Sequence, residues 1–243
     1  MKFGAKTTGL AAAIAEAEEA KRKAAALTVK PKSTSIEAQE RESAGFVEPD
    51  NPAVKDRIRI IFDDSGSMIG QTIKDAQDGC IEFMKNCEVN KAAVAVHPMN
   101  ADAIALDTNL PKLAALMPLI HDSGGTPMFE TLQKAQAEEP KATRYIIFTD
   151  GQPNYNDLNM KESCISKAIE FKTPIDTVLI GLKDSPEAHL MKEIADRTGG
   201  IFLVFERGKA NFKTAFKYLS PGLRLQLMAD NSLKAKVEAG AVK

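Results

Sequence analysis

The sequence predicts an α/β protein whose doubly wound, mainly parallel central sheet carries helices on both faces. Runs of branched apolar residues, such as 58–62 and 145–148, end directly in polar loops, which is typical of buried strands. Between such runs lie longer stretches in which apolar residues recur every three or four positions, the spacing of a helix with one buried face. The two patterns alternate along the chain, and repeated strand, crossover helix and strand units produce a parallel sheet covered on both sides.

The individual elements follow one another regularly after residue 54. The helix at 71–86 places Ile73, Cys80 and Phe83 on one apolar stripe. Pro127 precedes the helix at 128–138, in a position that suits either the first turn of a helix or a stiffened loop. The predicted strands are 57–63, 92–98, a short antiparallel edge at 103–107, a strand that ends at Asp150, 175–182 and 200–205, and the predicted helices are 71–86, 113–120, 128–138, 161–172, 186–198 and 211–219.

Residues 1–54 are predicted to form an N-terminal helix followed by an extended arm. Residues 8–27 are rich in alanine, and acidic residues precede basic ones, an order that favours a helix. Residues 28–54 contain several prolines and charges, the composition of an extended linker. The arm is either a flexible tail or a segment that docks on another subunit or assembly.

Residues 221–243 are predicted to be a C-terminal extension of the domain at 55–220. Leu223, Leu225 and Leu227 alternate with polar residues, which predicts either an added strand or a segment that docks on a partner. The remainder of the chain to Lys243 is predicted to be frayed.

Composition predicts a soluble intracellular protein with no affinity for nucleic acid or membranes. The chain has 243 residues, 44% of them hydrophobic, and a net charge of −1 at pH 7, which are ordinary values for globular proteins. No segment approaches the ~20 consecutive apolar residues of a membrane span. Because the N-terminus lacks the apolar core of a signal peptide, we expect the cytoplasm, or an assembly made there, as the location.

The three cysteines support the same compartment. Cys80, Cys87 and Cys164 are odd in number and have no C-x-x-C spacing, so they predict neither a disulfide framework nor a zinc site. We expect them to be small core residues in a reducing environment.

Three short polar pieces stand out because each falls where a loop is expected. They are 63–67 (Asp-Asp-Ser-Gly-Ser), 124–127 (Gly-Gly-Thr-Pro) and 149–151 (Thr-Asp-Gly), and the first and third directly follow apolar strands. In an open α/β sheet, ligands bind at the edge where the strands deliver the chain to such loops. Mg²⁺ prefers about six oxygen ligands, and hydroxyls and carboxylates with water supply them. The three pieces therefore predict a site for a hard cation.

This arrangement resembles the metal-ion-dependent adhesion site of the von Willebrand factor A family, in which D-x-S-x-S, a distant Thr and a later Asp bind the metal. The matching residues are Asp63, Ser65, Ser67, Thr126 and Asp150. The resemblance covers roughly 55–220 and implies a Rossmann-like fold and a bacterial or phage intracellular type of domain. It also implies bound Mg²⁺ or Mn²⁺, touched directly by the two serines and in some members by the threonine, with the aspartates often acting through water.

The same resemblance implies a binding function in which no bond is broken. The metal of such a domain captures an Asp or Glu carboxylate of a partner protein, and the partner expected here is an AAA+ ATPase or an assembly subunit. The chain is accordingly predicted to be an intracellular adaptor or assembly factor and not an enzyme. The alternative is a structural subunit of a larger assembly, such as a virion or an appendage, that uses the N-terminal arm.

Other interpretations of the three pieces are less consistent with the sequence. Alone, the first piece could be an ordinary Asx-rich turn, and the third, Thr-Asp-Gly after a strand, is a common strand exit. Phosphoaspartyl enzymes need a second Asp two residues after the first, where this chain has Ser65, and a receiver domain needs an acidic pair after an earlier strand. The run around Ser123 resembles the nucleophile segment of trypsin-like proteases, but that fold is all-β and its triad requires a base that this segment does not supply.

Overall fold

A computed structural model of the chain describes residues 53–151, 153–154, 160–206 and 212–238. The predicted helix at 8–27 and nearly all of the predicted arm at 28–54 lie outside these residues.

The described strands form one six-stranded sheet. Its order is β3-β2-β1-β4-β5-β6, and all neighbouring pairs are parallel except β2 and β3, which are antiparallel. The predicted fold class, including the short antiparallel edge, is therefore confirmed. The strands are β1 (Arg57–Phe62), β2 (Ala93–Pro98), β3 (Ile104–Asp107), β4 (Arg144–Thr149), β5 (Ile175–Ile180) and β6 (Phe202–Phe205).

The six helices predicted between residues 71 and 219 are present with small shifts at their ends, and two helices that were not predicted follow them. The helix predicted at 113–120 begins earlier, because Asn109 caps it by accepting a hydrogen bond from Lys112 N at 3.2 Å, and it ends in a 3₁₀ turn at Met117–Leu119. The helices are α1 (Gln71–Val89), α2 (Leu110–Leu116), α3 (Met128–Ala137), α4 (Met160–Glu170), α5 (Pro186–Thr198), α6 (Phe212–Leu219), α7 (Pro221–Ala229) and α8 (Asn231–Glu238).

The core consists of two apolar layers, one on each face of the sheet. Along β1, Ile58, Ile60 and Phe62 point to the layer formed with α1, α2 and the C-terminal helices, whereas Ile61 points to the layer formed with α3, α4 and α5. The central strands are buried on both faces, which explains why they are apolar at consecutive positions. Each large side chain in these layers contributes about 1.5 to 3 kcal/mol through burial.

The C-terminal extension is helical as far as Glu238, so the first of its two predicted alternatives, an added strand, is wrong. Ser220 and Pro221 begin α7, in which Pro221 fits the first turn because that position needs no N–H donor. Leu227 is 1% exposed and Leu225 is 69% exposed, since alternating residues of a helix face different directions. The expectation of a frayed end is also wrong as far as Glu238, because α8 carries the buried Val237.

A buried carboxylate attaches α7 to the sheet. Asp176 in β5 is fully buried and accepts hydrogen bonds from Arg144 Nη1 at 3.0 Å and from Ile201 N at 2.8 Å. Arg224 of α7 donates to both of its oxygens at 2.8 Å. Arg144 also donates to the carbonyl of Leu219 at 2.7 Å. Two arginines from distant parts of the chain thus share one carboxylate, and the last helices become part of the domain.

The cysteines occupy the core, as predicted. Cys80, Cys87 and Cys164 are buried and free. Burial raises the pKa of Cys164 to about 12 and raises the pKa of the other two thiols as well, so none of them is a reactive thiolate at neutral pH. Among the helices that the structure describes, none combines the length and the apolar character that crossing a membrane requires.

Candidate metal centre

The first and third polar pieces meet at the carboxyl edge of the sheet. β1 and β4 are parallel neighbours, with Phe62 opposite Phe148, and Asp63 N donates to the carbonyl of Phe148 at 2.9 Å. Chain connections run from β1 toward β2 on one side and from β4 toward β5 on the other, so the strand order reverses between β1 and β4. A reversal of this kind opens a crevice in which α/β proteins bind ligands.

Four of the five predicted residues are connected by hydrogen bonds, with Asp63 joined through the backbone of Ser65. Asp63 Oδ1 accepts a hydrogen bond from Ser65 N at 2.9 Å. Ser65 Oγ lies 2.9 Å from Ser67 Oγ, and Ser67 Oγ donates to Asp150 Oδ1 at 2.7 Å. Because the Ser67 proton is used on Asp150, Ser65 is the donor between the two hydroxyls. The oxygens of both predicted loops therefore converge on one place.

The fifth residue, Thr126, lies on a loop whose backbone is joined to the other two loops. Gly66 N donates to the carbonyl of Gly124 at 3.1 Å, which joins the second loop to the first. Asn154 N donates to the carbonyl of Thr126 at 3.0 Å, which joins the second loop to the third. Thr126 itself is buried. Within the described residues, no hydrogen bond links its hydroxyl to the other four side chains.

Asp63 is oriented by a residue that the sequence did not single out for this role. Its side chain is 0% exposed, and its Oδ2 accepts a hydrogen bond from Thr149 Oγ1, the last residue of β4. Both carboxylate oxygens are therefore held by donors. The available signal was the hydroxyl of Thr149 itself, which directly precedes Asp150 at the end of a predicted strand.

Asp64 is a second buried carboxylate that the sequence analysis left without a role. Its Oδ1 accepts hydrogen bonds from Asn100 N at 2.8 Å and Asn100 Nδ2 at 3.1 Å, whereas its Oδ2 is buried with no hydrogen-bond partner in the described structure. Burial raises the pKa of Asp64, and the hydrogen bonds from Asn100 act in the opposite direction. Asn100 was also missed, although a polar residue just after β2 lies at the same edge of the sheet.

The two glycines of the second loop lie against asparagine side chains. A Cβ at Gly124, whose φ is +65°, would lie 2.5 Å from Asn100 Oδ1. A Cβ at Gly125 would lie 2.1 Å from Asn154 Nδ2. A Cβ at either position would therefore displace the end of an asparagine side chain, and Gly124 in addition needs glycine for its left-handed backbone.

The side chains gathered here fit a hard divalent cation. They offer three hydroxyls and two carboxylates, all oxygen donors, which suits Mg²⁺ or Mn²⁺ better than metals that prefer nitrogen or sulfur. No group of three or more His, Cys, Asp and Glu side chains in the described part of the chain is arranged to hold a metal, so any metal bound here must use the hydroxyls. Asp63 and Asp64 form no ion pair with any described Lys, Arg or His.

That absence of a protein cation matters because both carboxylates are buried. A buried negative charge is costly unless a positive charge compensates it. A divalent cation at the hydroxyls beside Asp63 would supply that compensation. The donor set and the electrostatics of the crevice are thus compatible with a divalent cation.

Comparison with known proteins finds similarity only in three dimensions. No protein-family model matches the sequence, and no curated protein matches it. A von Willebrand factor type A structure from Catenulispora acidiphila superimposes with a TM-score of 0.57 at 21% identity, over 68% of this chain and 42% of that chain. The von Willebrand factor domain of the type V pili tip protein Mfa5 from Porphyromonas gingivalis gives 0.57 at 13% identity, over 70% and 95%.

A third similar structure is the pilus adhesin SpaC from Lactobacillus rhamnosus GG, with a TM-score of 0.55 at 15% identity, over 75% of this chain and 30% of that chain. This chain spans less than half the length of the first structure and less than a third of the adhesin. At these identities the similarity shows the fold alone. The described domain has the von Willebrand factor A fold, and its metal binding stays a prediction.

Proposed function

We propose that the chain is a metal-dependent protein-binding module. In this proposal Asp63, Ser65, Ser67, Thr126 and Asp150 hold one Mg²⁺, or Mn²⁺, which captures an Asp or Glu carboxylate of a partner protein. The observation that carries the proposal is the buried, hydrogen-bonded Asp63 carboxylate, which has no described ion-pair partner and lies beside a pair of serine hydroxyls. A divalent cation would satisfy this combination, whereas no Lys or Arg among the described residues is paired with Asp63.

The chain's own groups determine how the site would bind. Ser67 is exposed, whereas Asp63 and Ser65 are buried, so the site opens toward solvent on the side of Ser67. Neutral hydroxyls leave more of a cation's charge uncompensated than carboxylates do. When bound, the metal would supply an electrophilic centre for one more anionic ligand. The hydrogen bonds to Asp63 keep its carboxylate in one orientation and prevent it from taking that position itself.

Binding without bond cleavage is the function that these contacts support. None of the described hydrogen bonds joins a hydroxyl of the site to a histidine, and His97 contacts Arg59 in a separate cluster. The hydroxyl of Ser67 donates a hydrogen bond to Asp150, which we propose as one of the residues that hold the metal. We therefore propose a binding module and not an enzyme.

We further propose that the module is an intracellular adaptor or assembly factor, with an AAA+ ATPase or an assembly subunit as its partner. Three buried free thiols support a reducing compartment. Proteins that share this fold include a pilus tip protein and a pilus adhesin, which supports a protein partner. A role as a structural subunit of a larger assembly is the competing outcome of the experiment below.

Metal binding is tested first, by calorimetric titration of the full chain with Mg²⁺. We expect wild type to bind one ion and the Ser65→Ala/Ser67→Ala double variant to lose at least 100-fold in affinity, because both hydroxyl ligands are removed. Ser232→Ala, at an exposed position of α8, is the matched control and should bind as wild type does. Equal affinity of the double variant and wild type would contradict the proposed site.

The function is tested by affinity capture from native lysate, in Mg²⁺ and in chelator. A protein retained only by wild type in Mg²⁺, and released by a peptide that carries a glutamate from that protein, supports carboxylate capture by an adaptor. A protein retained equally by wild type in both conditions and by the double variant shows that the metal site is incidental and that an assembly role applies.

A further inference from the structure

Asn100 connects two of the three loops of the candidate metal centre. It follows β2, the neighbour of β1 on the side away from β4. Its backbone is held by the hydrogen bond from Asn100 N to Asp64 Oδ1 at 2.8 Å. Its carboxamide nitrogen then donates to Asp64 Oδ1 at 3.1 Å and to the carbonyl of Gly125 at 2.7 Å. Both hydrogens of one amide group are thereby used, one on each loop.

We propose that Asn100 is a positioning residue for the metal, holding the Thr126 loop in register with the Asp63 to Ser67 loop. This inference rests on the proposed function, because it assigns a role toward the Mg²⁺ of that same site. Asn100 contributes no ligand in this account. It acts on the distance between the hydroxyl of Thr126 and the hydroxyls of Ser65 and Ser67.

The chemistry of the junction requires a neutral side chain with two donors. Both groups that face Asn100 are acceptors, a carboxylate on one loop and a backbone carbonyl on the other. An Asp at this position would bring a third acceptor and a negative charge, and a Ser would offer one donor on a shorter side chain. Glycine at position 124 leaves room for the Asn100 side chain, because a Cβ on Gly124 would lie 2.5 Å from Asn100 Oδ1.

The register of these two loops depends on few other contacts. Between them, the described backbone hydrogen bonds are Gly66 N to the Gly124 carbonyl at 3.1 Å and Ser123 N to the Asp64 carbonyl at 2.7 Å. Gly125 is the neighbour of Thr126 in the chain. Among the described hydrogen bonds, only the one from Asn100 Nδ2 connects Gly125 to the first loop. Loss of the amide would therefore leave those two backbone hydrogen bonds as the described hydrogen bonds that join the two loops, and both should then open more often.

The test compares Asn100→Ala with Asn90→Ala in the full chain. Asn90 is a fair control because its amide donates to a backbone carbonyl, that of Asn86, at the end of α1. We expect Asn100→Ala to weaken Mg²⁺ binding by 10-fold to 100-fold, the usual range for groups that orient metal ligands, and Asn90→Ala to bind within twofold of wild type. Asn100→Leu, which keeps the branched shape of the side chain and removes both donors, should match Asn100→Ala and serves if the smaller side chain prevents folding.

Hydrogen exchange in chelator provides a readout that needs no metal. The amides of Gly66 and Ser123 should exchange faster in Asn100→Ala than in wild type, while the amide of Ile146 in the central strand β4 exchanges as before. A purely structural role would instead lower the free energy of unfolding and leave Mg²⁺ affinity unchanged, and that result would overturn the proposal. Affinity within twofold of wild type in both Asn100 variants would also overturn it.

The two proposals fail in distinguishable ways. If wild type itself binds no Mg²⁺, the proposed function fails, and the metal role of Asn100 fails with it. If wild type binds Mg²⁺ and the Asn100 variants bind equally well, only the positioning role fails. If wild type binds and both variants lose affinity with faster exchange at Gly66 and Ser123, both proposals are supported.

Discussion

At the scale of single residues, one of the two donors that orient Asp63 is a buried hydroxyl. Thr149 is fully buried, its Oγ1 donates to Asp63 Oδ2, and the same oxygen accepts a hydrogen bond from Gly151 N at 3.2 Å. The last residue of β4 thus connects the carboxylate of the first loop to the backbone of the third. A buried acceptor that loses such a donor retains the cost of its desolvation.

We predict that Thr149→Val lowers both stability and metal affinity. Valine keeps the shape of threonine and removes the donor, so the free energy of unfolding in chelator should fall by about 1 to 3 kcal/mol. Mg²⁺ affinity should fall about 10-fold, because Asp63 loses its fixed orientation. Urea denaturation and calorimetry measure the two effects. Thr173→Val, whose hydroxyl donates to the carbonyl of Phe171 in a turn, is the control and should leave Mg²⁺ affinity unchanged.

His97 belongs to a separate buried polar cluster on the α3 side of the sheet. Arg59 Nη1 lies 3.3 Å from His97 Nε2 and also donates to Glu138 at the end of α3, and His97 Nε2 lies 3.6 Å from that carboxylate. His97 is 3% exposed. Burial lowers the pKa of His97 to about 4, Glu138 opposes this shift and Arg59 adds to it. The histidine is therefore neutral in the folded protein at pH 7.

This lowered pKa predicts a loss of stability in acid. The unfolded chain binds a proton at His97 as the pH falls below about 6.5, whereas the folded protein does so only near pH 4. Stability that is fully present above pH 6.5 should therefore decrease between pH 6.5 and pH 4, by up to about 3 kcal/mol. In His97→Gln, which cannot titrate, the free energy of unfolding should change less across this range. His189→Gln, at an exposed position of α5, should keep the wild-type slope, and a wild-type slope in His97→Gln would contradict the assignment.

At the scale of elements, the C-terminal helices are held to the sheet by charge as well as by apolar contact. Leu227 of α7 and Val237 of α8 lie in the same apolar layer as the central strands. Arg224 adds two hydrogen bonds to the buried Asp176, on the strand next to β4. A buried ion pair is poor evidence of net stabilisation, but removal of one partner leaves a charge without compensation.

We predict that Arg224→Ala loosens α7 and α8 from the sheet. Asp176 keeps Arg144, so the expected loss in free energy of unfolding is about 1.5 to 3 kcal/mol, the range for hydrogen bonds to a charged group, and less than removal of all compensation would cost. Hydrogen exchange should show faster exchange in α7 than in β4. Arg197→Ala removes an exposed pair with Glu193 within α5 and should cost less than about 1 kcal/mol. Equal losses in the two variants would show that the Asp176 contact adds nothing.

At the scale of the whole molecule, the candidate metal centre draws on segments far apart in sequence. Its loops follow β1, precede α3 and follow β4. A ligand that binds only when these loops are together must stabilise the folded state against the unfolded chain. The global stability of the domain therefore reports on the site.

We predict that Mg²⁺ raises the melting temperature of wild type. At a concentration of 100 times the dissociation constant, binding to the folded state adds about 2.7 kcal/mol, which corresponds to about 5 to 10 °C for a domain of this size. Thermal unfolding with and without chelator measures the shift. Asp63→Ala should show no Mg²⁺-dependent shift, and an equal shift in this variant would indicate that the ion acts elsewhere on the protein.

The fold class and the order of elements could be predicted from the sequence because they depend on local periodicity. The apolar run before Asp63, the helical stripe through Cys80 and the short edge strand near Ile104 all lie within single segments. The C-terminal extension was predicted less well. The alternating leucines from Leu223 to Leu227 fit a strand as well as they fit a helix. The helix is favoured by Pro221 in its first turn and by the burial of Leu227.

The sequence alone identifies the strand ends that carry hydroxyls and carboxylates, because the residues of each motif lie close together within one loop. The residues that hydrogen-bond to these side chains are visible only in the tertiary structure. Thr149 meets Asp63 from 86 positions away, and Asn100 meets Asp64 from 36 positions away. Such contacts are set by the parallel register of β4, β1 and β2 and by the packing of the helices between them. No local pattern encodes that register, because hydrogen bonds between strands join backbone groups that every residue type carries.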